Sequence, residues 1–428
     1  MTGTIQGDVM TRTLTAAFML TFAAALPAWA DEPDGLKLPS GFHASVVADG
    51  LTGARHLAVR DNGDIYVSTN HAPTAPSVGI YALRLGPDHK AADTQHFGSV
   101  DQGTGIRFYK GALYAASGSG VSRFTFSGNE LVPGAAPDLI VDGLAGGSHA
   151  IAFDGKGNLF VALSGGGGDN NCADPGAPKD AKPVGLNPCP LLATRGGIWR
   201  FDDGKPGQKL ADGEHFATGI RNTSAMDWRN GDAIYSVMHG RDGTAKGWPD
   251  LVTPAQDDAI PDEMTRFVKG TDQGWPYTYY DGAQNIRLMA PEYGGDGKTP
   301  VTDAKYAAPV VSFQPQRPAA LDIVFYNGRQ FPASYRGGAF VAMHGGGADR
   351  SERPEGHGGY NVMFVPFDRS GKAGKPVVFA DGFAGPDPAD KAVNKAMYRP
   401  TGVAMGPDGA LYVVESQKGR LWRISYGN

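Results

Sequence analysis

The sequence predicts an all-β fold, a six-bladed β-propeller. Six times a short apolar run meets a tight turn rich in Gly, Asn, Asp or Lys, and a second strand-like run follows. The copies are HLAVRDNGDIYVS (56–68), GIRFYKGALYAAS (105–117), AIAFDGKGNLFVALS (150–164), AMDWRNGDAIYSVM (225–238), IVFYNGRQFPASYRGGAFVAMHG (323–345) and GVAMGPDGALYVVES (402–416). Each alternates β-branched or aromatic residues with others around a turn that tolerates positive φ, the signature of a β-hairpin. Their separations, roughly 45 to 100 residues, fit blades joined by loops of unequal length. The 62 glycines and 31 prolines supply the many turns that such a ring needs and a helical chain would not.

Residues 1–30 stand apart from the repeats. A polar stretch near Arg12 leads into LTAAFMLTFAAALPAWA, which closes on Ala28-Trp29-Ala30 before Asp31. This reads as a secretory signal peptide cut after Ala30, and its apolar run is short of the ~20 residues that span a bilayer. The mature chain, 31–428, is expected to be one propeller that is periplasmic or secreted, with no membrane span. The formal charge is -5, from 39 basic and 44 acidic side chains, with no basic stripe, so nucleic acid is not an expected partner.

The two cysteines, Cys172 and Cys189, fall in a Gly/Pro/Asn-rich insertion at 165–194. In an oxidising compartment they are expected to form a disulfide, since two thiolates alone make no metal site. Closing a loop of that size is worth about 3 kcal/mol by the chain-entropy model. The chain has no C-x-x-C-H, the attachment motif of c-type haem.

Fold alone does not give function; the segments after the strands carry it. ATGIRN (217–222), HGRD (239–242), PDEM (261–264), GWPYTYYDG (274–282) and RPTGVAMGPDGALYVVES (399–416) occur in that order. Together they resemble the soluble sugar dehydrogenases that depend on pyrroloquinoline quinone (PQQ), most nearly the sorbosone or pyranose dehydrogenase branch. The resemblance implies PQQ and calcium as cofactors, a sugar or related polyol or aldehyde as substrate, and a separate electron acceptor such as a cytochrome or quinone. PQQ carries three carboxylates, which suit the planar fork of arginine. Its quinone oxygens suit a hard cation held by carbonyls and carboxylates.

Carried onto this sequence, the resemblance assigns Arg221, Asn222, His344, Arg350 and Arg399 to the cofactor. Calcium falls to Gly240 and Arg241 through their carbonyls and to Asp262 and Glu263 through their carboxylates. The catalytic base, a neutral imidazole that takes the hydroxyl proton, falls to His149. At that point the chain departs from the pattern: Gly146 stands where the family has histidine, and His149 follows three residues later in GLAGGSHAIAFD. HGGGADR (344–350) replaces a segment bearing tryptophan, and Thr278 and Asp303 stand at the places of a cysteine pair. Two other readings stay open on the sequence: a calcium lactonase, which would set carboxylates and an Asn on its metal, and a noncatalytic carbohydrate- or protein-binding propeller.

Overall fold

In the computed structural model the described residues are 1–3, 29–31, 35–70, 79–99, 103–145, 147–166, 172–177, 182–229, 231–314, 317–346 and 357–427. Most of the expected signal segment, residues 4–28, lies outside them, as do Gly146 and Arg350. Trp29–Asp31, at its end, pairs with Lys37–Pro39.

Six four-stranded antiparallel sheets form the blades. Blade 1 is Ala54–Val59, Ile65–Thr69, Ile80–Leu85 and Ala91–Phe97; blade 2 is Ile106–Tyr109, Ala112–Ala116, Gly120–Thr125 and Asp138–Asp142. Blade 3 is Ile151–Phe153, Asn158–Leu163, Gly197–Asp202 and Glu214–Thr218; blade 4 is Ala225–Trp228, Ile234–Met238, Asp262–Phe267 and Val311–Phe313. Blade 5 is Ala320–Phe325, Ala339–Met343, Asn361–Val365 and Val377–Ala380. Blade 6 joins Pro400–Met405, Leu411–Glu415 and Leu421–Tyr426 to the early strand Phe42–Ala48, which locks the two ends of the ring together. Every hairpin read from the sequence supplies the first two strands of one blade, and those first strands neighbour one another around the axis.

Alternation explains the packing. Successive strand residues face opposite sides of a sheet, so each blade feeds both of its seams. In blade 1, Ile65 and Val67 join the core shared with blade 6, whereas Tyr66 joins the core shared with blade 2. A separate apolar cluster fills each of the six seams. A fully buried Leu or Phe there contributes about 1.5–3 kcal/mol.

Polar groups tie the first strands across the axis. The buried Asp322 of blade 5 accepts from Arg107 Nη2 of blade 2 at 3.0 Å and from the Val403 amide of blade 6 at 3.1 Å. His56 Nε2 of blade 1 donates to the Leu321 carbonyl at 2.6 Å.

The stapled insertion follows the second strand of blade 3, and Cys172 and Cys189 are disulfide-bonded as expected. Trp275 of GWPY packs on that disulfide, and the Tyr277 hydroxyl accepts the Cys189 amide at 2.9 Å. A second excursion, residues 239–261 of blade 4, carries two short helices, Thr244–Gly247 and Pro254–Asp258. It forms one wall of the site. No helix among the described residues is long and apolar enough to cross a membrane.

Candidate functional site

The loops that enter the first strands, and those that leave the second strands, meet at one end of the ring. There a cleft of about 370 Å³ is lined by Arg55, His239, Gly240, Asp242, Asp262, Arg317, His344 and Arg399, with glycines and apolar residues between them. That volume lies within the ordinary range of small-ligand pockets, about 300–1,000 Å³. A larger cleft, about 850 Å³, lies between the stapled insertion and the later part of blade 4. Trp248, Tyr277, Tyr293 and Lys305 line it, and no residue assigned from the motifs does.

Arg399 precedes the first strand of blade 6 and spans the turn of blade 5. Its Nε donates to the His344 carbonyl at 3.1 Å and its Nη2 to the Gly345 carbonyl at 2.7 Å. Gly345 has φ +93°, and a Cβ there would meet the Tyr360 ring at 2.3 Å, so the turn needs glycine. Arg55 is the second residue of the first strand of blade 1 and lines the same cleft. Its Nε is buried without a partner, and neither Arg55 nor Arg399 pairs with a carboxylate among the described residues. Burial lowers the pKa of both guanidinium groups, and Arg399 lowers that of Arg55 further. Two like charges facing one cleft, neither paired with a carboxylate among the described residues, make a site that fits a polycarboxylate.

The two imidazoles of the cleft are His239 and His344. His239 Nε2 lies 2.6 Å from the Ala320 carbonyl, and its Nδ1 lies 3.4 Å from Asn222 Nδ2. His344 Nε2 lies 3.0 Å from Ser416 Oγ. Burial, then Arg399, Arg55 and His239, hold His344 well below the usual imidazole pKa, so it is neutral. His149 stands elsewhere. It is wholly buried at the seam of blades 2 and 3, with Nδ1 3.1 Å from the Ala162 carbonyl, and it does not line the cleft. Burial lowers its pKa as well.

Arg221 is buried, as its motif implies, but it faces protein oxygens. Its Nη1 donates to the Gly240 carbonyl at 2.7 Å, and its Nη2 meets Asp242 Oδ2 at 2.9 Å. The Arg241 carbonyl accepts from Arg317 Nη1 at 2.7 Å, while the Arg241 side chain grips Glu292 as a bidentate, buried pair. Asp262 is buried and spends its two oxygens on the amides of Gly240 and Ala320, at 3.0 and 2.7 Å. Glu263, one residue on, faces the opposite side of the strand and binds Arg287 Nη2 at 2.7 Å. The structure therefore brings Gly240, Arg241 and Asp262 together and leaves Glu263 out. These oxygens are the donor type that calcium takes, yet both carbonyls here accept from arginine.

Arg55, His239 and Arg317 were not singled out from the motifs. Part of a signal existed in the sequence: Arg317-Pro318 and Arg399-Pro400 are the same dipeptide, three residues and one residue before first strands, whereas Arg55 lies inside one.

Comparison with known proteins agrees with this architecture. The family model described as glucose/sorbosone dehydrogenase matches residues 137–348, and one described as TrAA12-like matches residues 290–427. No curated protein matches the chain in sequence. Among solved structures, the holo form of the pyranose dehydrogenase PQQ domain from Coprinopsis cinerea superposes with a TM-score of 0.70 at 16% identity, covering 92% of this chain and 98% of that one. A calcium structure of Trichoderma reesei family AA12 gives 0.70 at 17%, covering 94% and 98%. The PQQ-bound aldose sugar dehydrogenase from Streptomyces coelicolor gives 0.54 at 18%, covering 91% and 99%. At these identities the structural likeness is one of fold. Family model and fold agree with the motifs ATGIRN, HGRD and GWPYTYYDG, and the chain is a glucose/sorbosone dehydrogenase-like propeller.

Proposed function

We propose that this chain is an exported quinoprotein that oxidises a sugar, or a related polyol or aldehyde, in the cleft at the mouth of the ring. The observation that carries the reading is the Arg55–Arg399 pair, two desolvated guanidinium groups that face one cleft and pair with no carboxylate among the described residues. PQQ, when bound, supplies the hydride acceptor. Arg55 and Arg399 would hold its carboxylates by charge-assisted hydrogen bonds. Asn222 and Arg221 flank the same mouth, and Arg350 joins them by motif alone. Gly240, Arg241 and Asp262 offer the oxygens that calcium would need, whereas Glu263 is turned away. Support for both cofactors comes from the solved structures, one named as a PQQ-bound dehydrogenase and one as a calcium structure.

The base must touch the substrate hydroxyl. His344 meets that requirement from the cleft wall, and its depressed pKa keeps a lone pair available near neutral pH. His149, the choice from the motif, has no such access. Electrons would leave to a separate acceptor. The cleft's cationic wall favours this reading over a lactonase, whose metal site is built of carboxylates.

The test is to incubate the mature protein with calcium and PQQ, follow quinone absorbance through gel filtration, and assay dye reduction against a sugar panel. Co-elution with sugar-dependent dye reduction is the expected outcome, and absence of bound quinone would overturn it. In the same assay His344→Ala should lower turnover by ~10²–10⁴ with quinone still bound. Loss in His149→Ala with His344→Ala still active would return the base to the motif position.

A further inference from the structure

Arg317 occupies a cage of oxygens. It enters from the loop before blade 5 and its side chain is 10% exposed. Its Nη1 donates to the Arg241 carbonyl at 2.7 Å and to the Asp257 carbonyl at 2.6 Å, with Asp257 Oδ1 at 3.3 Å. Its Nε lies 3.2 Å from Asp242 Oδ1, and its Nη2 lies 3.7 Å from Asp258 Oδ1. Two carbonyls and three carboxylates thus surround one guanidinium. The loop is built for that approach: a Cβ on Gly346 would lie 2.0 Å from the Arg317 carbonyl, and one on Gly240 would lie 3.0 Å from Arg317 Cγ.

One of these oxygens, the Arg241 carbonyl, belongs to the pair that the resemblance assigns to calcium. The other member, the Gly240 carbonyl, is held by Arg221 Nη1 at 2.7 Å. Hard oxygen ligands in this number suit calcium, but a divalent ion on these two carbonyls would sit directly against two guanidinium groups. Like charges so placed oppose each other strongly in a half-buried site. We infer that Arg317 is a resident cation of the site that competes with calcium, so that calcium takes the Arg241 carbonyl only as Arg317 gives it up. Asp242 is shared with Arg221, at 2.9 Å, so three carboxylates face two guanidinium groups, and release of Arg317 from the cage would leave carboxylate charge free to draw the incoming ion.

The inference rests on the reading of the cleft as a calcium–quinone site, but it fails separately. Calcium alone, titrated into protein without quinone or sugar, reads Arg317; quinone titration reads Arg55 and Arg399. Calorimetry with calcium chloride should show Arg317→Met binding the ion at least ~10-fold more tightly than the wild type. Arg317→Lys keeps a cation but loses the fork, and should fall between the two. Equal or weaker calcium binding in Arg317→Met overturns the inference. If Arg317→Met unfolds in the absence of calcium, its fold should return at calcium concentrations that leave the wild-type melting temperature unmoved. Failure to recover with calcium overturns the inference as well.

Discussion

Two groups of arginine and histidine stand in this ring, and their charge balance is opposite. On the axis, Arg107, His56 and Asp322 form a closed set. Burial alone would lower the pKa of Arg107, but Asp322 and Asp227 more than offset it and the net shift is upward. At the mouth, Arg55, Arg399 and His344 pair with no carboxylate among the described residues, and all three are shifted downward. Residue type does not separate the groups; the presence of a buried counter-ion does. The axial arginine is part of the scaffold, whereas the cleft arginines are held in a state that an anion would relieve.

Breaking the axial group should cost stability. Arg107→Met leaves Asp322 charged and buried without its guanidinium, and a buried pair broken from one side typically loses about 3–5 kcal/mol. Chemical denaturation is expected to show a loss of that size with quinone affinity unchanged. A variant as stable as the wild type would mean that Asp322 is satisfied by the Val403 and Ile323 amides alone. Breaking the cleft group should do the reverse. Arg55→Ala and Arg399→Ala are each expected to weaken PQQ about 10–100-fold, the worth of a charge-assisted hydrogen bond at about 1.5–3 kcal/mol. The unfolding free energy of Arg55→Ala should stay level or rise, because it removes one of two opposed charges, whereas Arg399→Ala also loses the bonds to the His344 and Gly345 carbonyls and should fall. Equal quinone affinity in both variants and the wild type would remove the main support for the proposed cofactor.

The contrast also marks what the sequence made legible. Hairpin pattern and turn chemistry are local, and all six repeats became the first two strands of blades, with Cys172 and Cys189 joined between them. Trp275 of the GWPYTYYDG motif packs against that staple. Site residues are less legible, because their partners come from other blades. Asp262 and Glu263 look alike as neighbours in sequence, yet strand alternation sends one to the cleft and the other to Arg287. His149 is one residue from a strand that starts on the same end of the ring, but it wedges into a seam. Arg55 carries no motif at all; it lies inside the first strand of blade 1, and only the folded ring brings it to the mouth.

The finest test of the comparison is a pH dependence that belongs to the axis alone. Burial pulls His56 down to about 4; Asp322 raises it in part, and Arg107 and Arg55 lower it. Its ordinary value is 6.5. As pH falls below 6.5 the unfolded chain takes the proton first, so stability from the neutral, buried ring is complete above 6.5 and drains away toward 4. Asp227 works in the opposite sense: burial raises it to about 6, so the folded state takes its proton first as pH falls from 6. A wild-type curve therefore mixes the two. Subtracting the curve of His56→Asn isolates the histidine. Each tenfold difference in proton affinity between the folded and unfolded chain is worth about 1.4 kcal/mol, so the stability advantage of the wild type should shrink by about 2 kcal/mol between pH 7 and pH 5. An advantage that stays constant would mean that folding leaves the proton affinity of His56 unchanged, and one that grows as pH falls would mean that the folded ring keeps its proton beside Asp322.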